Sequence, residues 1–289
     1  MSLVVAQATE DGPRIVADMR ALYPDGRRPK FKTDTLKAVV VAKATTVCFA
    51  GDVDAGLAGV RAFARGLHES TSLETRLDLL QELAADSRRP VDFIVAMGRE
   101  ARQLSRIRST GVESDLQTAW IGDQTAFECF QTERNKPVDE GRRSIESFLT
   151  PSQRIMSSLQ RAMDAVIKNP AIESVDGFCV GIAYQPGGFE YLSSVFVHVG
   201  RDIVVHNGDD LINKMAQSVE EGGYSVSVVE PAEPGTPALG LNFPRARIGI
   251  LFLPLQFEGG QLIEDVAPKD FAKAAFERFG VRMKDPSLR

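Results

Sequence analysis

The chain has 289 residues, room for one large domain or two small ones, and at 43% hydrophobic and 25% charged it has the balance of soluble globular proteins. A net charge of −5 and a pI of about 5.4 argue against nucleic acid as the main partner. No apolar run is long enough to span a bilayer, and no basic stretch followed by an apolar one opens the chain, so a cytoplasmic protein with no leader and no membrane partner is expected.

Leu3–Thr9 and Arg14–Arg20 are apolar-rich and flank the turn cluster Thr9-Glu10-Asp11-Gly12-Pro13, which predicts an opening antiparallel hairpin. A polar, basic loop over 23–30 follows. From Leu36 to Ala50 β-branched residues dominate, with a break at Ala42-Lys43-Ala44, so two more strands are expected. Gly51-Asp52 then opens a helix with Val53, Leu57, Val60, Ala64 and Leu67 on one face. A second helix starts at Ser72 and stops before Pro90.

Short strands are predicted at Val91–Met97, Gln103–Arg108 and Leu116–Gly122, followed by a helix from Gly122-Asp123 through Phe130. Residues 131–150 read as a polar connection and Pro151–Lys168 as a helix. Gly177–Tyr184 and Phe189–Val199 read as a hairpin across Pro186-Gly187-Gly188. Beyond it we expect a strand at Arg201–His206, a helix at Asp209–Glu220 and a strand at Tyr224–Val229. A loop at 231–237, a strand at Arg247–Leu255 and a closing helix at Pro268–Phe279 complete the reading, with Pro at the first turn of that helix and Gly280 past its end. This order suits an α+β fold of antiparallel sheets covered by helices, and no Gly-rich phosphate loop follows an early strand.

Cys48, Cys129 and Cys179 are odd in number, far apart and set in apolar segments, which suits buried thiols better than disulfides. His68, His198 and His206 show no metal-ligand spacing, so neither a metal nor another cofactor is expected.

The chemistry-bearing pattern lies in the first fifty residues. Ser2 opens the first strand, Asp18-Met19-Arg20 ends the second, Lys37 opens the third, and Gly51 joins the fourth to a helix. If Met1 is trimmed, Ser2 carries both a hydroxyl and an α-amine of pKa about 7.7–8.0, able to serve as base for that hydroxyl. A nearby lysine lowers the proton affinity of its neighbours, and an aspartate beside it offsets the cost of burying it. A backbone N–H at a helix start can stabilise an oxyanion, and losing one such donor costs roughly 2.7–4 kcal/mol.

On these residues the sequence resembles the proteasome β-subunit family of N-terminal nucleophile hydrolases. The resemblance rests on Asp18-Met19-Arg20, Lys37 and Ala50-Gly51, with sixteen residues from Ser2 to Asp18 and fourteen from Lys37 to Gly51. It continues in Asp92-Phe93-Ile94-Val95-Ala96 and Ala119-Trp120-Ile121-Gly122-Asp123 and weakens after about residue 185. It implies a four-layer αββα sandwich of two antiparallel sheets in a single domain, with a core over about 1–200 and a divergent C-terminal extension over about 201–289. It also implies Ser2, Asp18, Lys37 and Gly51 as catalytic residues, and Arg20, Phe49 and Val53 as substrate-binding ones. The implied partners are a peptide or protein substrate and further copies of the chain in a homo-oligomer.

Three features depart from the family pattern. Serine replaces threonine as nucleophile, Val175-Asp176-Gly177 stands where the family has Ser-Gly-Gly, and the chain is longer. An inactive, proteasome-like binding or assembly subunit is therefore the alternative reading. Ordinary readings also stay open for single residues: Lys37 as an edge-strand lysine, Asp18 as a turn residue, Arg20 as an ion-pair partner, and Phe49 and Val53 as core.

Overall fold

The computed structural model describes residues 2–19, 35–86, 88–98, 104–137, 146–193, 195–198, 224–257 and 260–285. The chain divides into two compact units. The first comprises Met1–Tyr191 with Pro234–Pro237 and Pro254–Glu258; the second comprises Leu192–Glu233, Ala238–Leu253 and Gly259–Arg289.

In the first unit, β1 (Leu3–Gln7) and β2 (Arg14–Ala17) form the expected hairpin, with Val5 opposite Val16. Its turn is closed by the Gly12 N–H donating to the Thr9 carbonyl at 3.0 Å. β3 (Ala38–Ala42) and β4 (Thr45–Gly51) pair across the predicted break. Asp52 and Ser72 cap α1 (Val53–His68) and α2 (Leu73–Ala84), each side chain accepting from the backbone N–H three residues on. That relieves donors a helix start otherwise leaves unpaired, at a value of about 1 kcal/mol each.

β5 (Val91–Met97), β6 (Leu104–Arg108), β7 (Gly111–Glu113) and β8 (Thr118–Gly122) follow, then α3 (Gln124–Asn135), α4 (Pro151–Ile167), β9 (Val180–Gln185) and β10 (Gly188–Tyr191). α4 opens on a capping box, with Thr150 and Gln153 bonding each other's backbone. These strands make two five-stranded antiparallel sheets, ordered β10-β9-β2-β1-β8 and β3-β4-β5-β6-β7. Helices α1 and α2 pack on the second sheet, whereas α4 packs on β2 and β9 of the first and on α3. Strands β1 and β8 approach β4. The buried Tyr191 hydroxyl joins the sheets, accepting from the Val40 N–H at 3.0 Å and donating to the Ala38 carbonyl at 3.2 Å.

The second unit holds a third antiparallel sheet, ordered β11 (Val195–His198), β12 (Tyr224–Val229), β13 (Leu239–Phe243), β14 (Ile248–Phe252) and β15 (Gly260–Ile263). Helix α5 (Pro268–Phe279) covers it with Phe271 and Ala275 against Val229, Leu251 and Ile263. The Phe271 ring fits because β13 and β14 carry glycine beneath it. A Cβ on Gly240 or Gly249 would lie 2.6 or 2.4 Å from that ring.

Several elements differ from the sequence reading. β7, β13 and β15 were not predicted: β13 (LGLNF) has no β-branched residue, and only pairing on both flanks makes it a strand. The single strand expected over Phe189–Val199 is two strands in different sheets. α3 runs to Asn135, beyond the expected Phe130, because its polar last turn keeps helical bonding without burial. The predicted last strand is trimmed to Ile248–Phe252, where Arg247 takes φ 53 and ends the extended backbone. The strand expected at 201–206, the helix at 209–220 and the basic loop at 23–30 lie outside the described residues.

Candidate active site

Ser2 immediately precedes β1 and is buried, at 3% exposure. Its carbonyl accepts from the Asp123 N–H at 2.8 Å. The next residue is held from the other side, since the Leu3 N–H donates to Asp18 Oδ1 at 2.9 Å. Antiparallel pairing brings this about: Val4 faces Ala17 on β2, so the end of β2 comes to rest beside the start of β1.

Asp18 and Lys37 meet in the core, with Lys37 Nζ donating to Asp18 Oδ2 at 2.6 Å. Their side chains are 0% and 1% exposed. Removing two charges from water carries an effective penalty of several kcal/mol per ion, which only close pairing and further hydrogen bonds offset. The aspartate meets that requirement with both oxygens, one on the ammonium and one on the Leu3 N–H. Lys37 is placed by its own backbone, whose carbonyl accepts from the Phe49 N–H at 2.9 Å. It lies beside β4, two residues from Gly51 by register.

Gly51 faces Val91 across the β4–β5 ladder and takes φ +119. A Cβ there would lie 2.2 Å from the Pro90 carbonyl oxygen, which itself accepts from the Asp52 N–H at 2.8 Å. The glycine is thus required by a close backbone approach where the strand turns into α1. The end of β4 also meets the Ser2 region at Gly122: a Cβ on Gly122 would lie 1.9 Å from Ser2 O and 3.4 Å from Ala50 Cβ. Ser2, Asp18, Lys37 and the end of β4 are therefore gathered at one end of the two sheets.

Two of the three suggested substrate-binding residues, Phe49 and Val53, do not join this group. Phe49 is wholly buried, and its ring lies where a Cβ on Gly56 of α1 would fall, 2.1 Å away. Val53 is buried at the first position of α1. Both are core residues. Arg20 lies outside the described residues. At the departure from the family pattern, Val175 is buried and Gly177 takes φ +86, its N–H bonded to Asp176 Oδ1 at 2.7 Å. That segment is an irregular bend, and its three side chains carry no hydroxyl.

Two neighbours escaped the sequence reading. Asp123 was expected only to start a helix, yet its N–H holds the Ser2 carbonyl. Cys179 is buried, and its thiol is pushed well above its ordinary range by burial first and then by the charges of Asp164 and Asp18. It stays a protonated, unreactive thiol near the ion pair. Its position in an apolar segment predicted burial but not this neighbourhood.

No protein-family model matches the chain, and no curated protein matches it. Among solved structures, the crystal structure of eukaryotic HslV from Trypanosoma brucei aligns with 62% of this chain and 97% of that chain, at 12% identity and a TM-score of 0.43.

Proposed function

We propose that the chain is a proteasome-like N-terminal-serine hydrolase acting on a peptide or other amide. Cleavage of the Met1–Ser2 bond frees the Ser2 α-amine. Ser2 Oγ then attacks the carbonyl carbon, the α-amine takes the hydroxyl proton, and the tetrahedral oxyanion is held by the Gly51 N–H. The intermediate collapses with loss of the amine product, which takes the proton back, and leaves an ester on Ser2. Water resolves that ester, or a second amine takes the acyl group. Lys37 keeps the site positive and lowers the proton affinity of the α-amine. Asp18 holds Lys37, while Arg20 is assigned to the approach of substrate. The αββα stacking, α1 and α2 outside one sheet and α3 and α4 outside the other, is part of the same proposal. So are a homo-oligomeric state and a cytoplasmic location.

The observation that carries this reading is the buried Lys37–Asp18 pair, tied through Asp18 Oδ1 to the N–H of the residue after Ser2. An apolar pair would fill that space at no desolvation cost. Intact mass and peptide hydrolysis test it. The expected outcome is a chain beginning at Ser2 that cleaves peptides, with activity abolished in Ser2→Ala. A chain that quantitatively keeps Met1 would sink it.

The second reading, an inactive binding or assembly subunit, is favoured by the absence of a hydroxyl in Val175-Asp176-Gly177. It fails if Ser2→Ala removes a measured hydrolytic activity while the fold is retained.

A further inference from the structure

We propose that Gly122 and Asp123 are positioning residues that fix Ser2 for attack through its backbone. The inference rests on the reading of Ser2 as the nucleophile. A nucleophile at a chain terminus has no preceding peptide to hold it, and fixing its backbone costs conformational entropy. Something after it in the chain has to supply the order.

Two ties do so. On one side, the Leu3 N–H is bound by Asp18 at 2.9 Å, which links β1 to Lys37. On the other, the Ser2 carbonyl accepts from the Asp123 N–H at 2.8 Å. Gly122 makes that second tie possible. It faces Leu3 in the β1–β8 ladder at φ +107, and any Cβ there would fall 1.9 Å from the Ser2 oxygen. Asp123 is anchored in turn, because its Oδ1 accepts from the Ala126 N–H at 2.9 Å and caps the twelve-residue α3. The stable helix behind the cap thereby sets where the Ser2 carbonyl sits. Neither tie uses the α-amine or Oγ of Ser2, so the clamp orders the residue without occupying its reactive atoms.

The test is the labelling of the mature, folded chain by an alkyl fluorophosphonate, with rate constant and endpoint read separately by intact mass and the site by peptide mapping. In that reaction the Ser2 Oγ–P bond forms, the P–F bond breaks, fluoride leaves and the hydroxyl proton passes to the α-amine. We expect labelling at Ser2 in the parent chain and none in Ser2→Ala. Gly122→Ala sets a methyl against the Ser2 carbonyl, 1.9 Å from its oxygen before relaxation, and the expected loss is about 10²-fold in rate with the endpoint and pH profile unchanged. Asp123→Asn keeps a capping side chain and reacts at the parent rate, whereas Asp123→Ala is slower by up to about tenfold. Partial unfolding lowers the endpoint instead of the rate constant, which separates positioning from a merely structural role. Should Gly122→Ala not fold, the contrast between the two Asp123 variants decides. Parent-rate labelling of Gly122→Ala, or of Asp123→Ala, overturns the clamp and leaves the Ser2 chemistry standing. No labelling of Ser2 in a parent chain with a free Ser2 amine overturns the nucleophile reading, and the clamp with it.

Discussion

Two buried polar sites, one in each unit, stand on opposite terms. In the first, Lys37 and Asp18 are fully buried charges, yet both carboxylate oxygens and the ammonium have hydrogen bonds. In the second, Asn242 on β13 is fully buried, and neither its Nδ2 nor its Oδ1 has a partner among the described residues. An unpaired buried amide costs about 1–3 kcal/mol, and a broken buried ion pair costs more. The contrast teaches that burial alone does not fix a polar group in place, whereas partners on both carboxylate oxygens hold Asp18 in a specific geometry.

The sharpest way to break the comparison is to cut the ion pair on one side. Asp18→Ala leaves the Lys37 ammonium and the Leu3 N–H without that carboxylate, and an expected loss of about 3–5 kcal/mol is measurable by denaturant unfolding. The double variant Asp18→Leu with Lys37→Met removes both charges together and is expected to recover most of that stability while losing the proposed peptide hydrolysis. Recovery of stability together with activity would show that the pair serves packing alone.

The opposite result is expected in the second unit. Asn242→Leu removes two unpaired polar atoms at nearly constant volume, and a gain of about 1–3 kcal/mol is expected in the same measurement. Gly249→Ala there sets a methyl against the Phe271 ring, for a loss of about 1–3 kcal/mol.

The smallest effect is on pH dependence. Burial raises the thiols of Cys48 and Cys179 above the ordinary value of 9.0, with Asp164 and Asp18 adding to the rise at Cys179. A group whose folded pKa is raised contributes stability that is complete below the unfolded pKa and is lost as pH rises past it. Thermal midpoints are therefore expected to fall above about pH 9, and to fall less steeply when both cysteines are replaced by alanine. An unchanged slope in that variant would assign the alkaline loss to other groups.

Much of the first unit was legible in the sequence because its signals are local. The β-branched runs on either side of Ala42-Lys43-Ala44, the four- and three-residue apolar spacing from Val53 to Leu67, and the caps at Asp52, Ser72 and Asp123 each act within one or two turns of chain. The second unit was less legible. β13 and β15 are strands by virtue of their neighbours, and the stretch from Phe189 to Val199 looks continuous although its halves join different sheets.

The sequence by itself determined where helices begin, which faces are apolar, and the order in which Ser2, Asp18, Lys37 and Gly51 arrive along the first strands. Only the tertiary structure decided that Asp18 grips both Lys37 and the Leu3 N–H, that Phe49 turns into the core against α1, and that Asp123, more than a hundred residues away, holds the Ser2 carbonyl. Periodicity and capping depend on residues within a few positions of one another. Contacts between sheet ends depend on strand order and register, which no short stretch of sequence specifies.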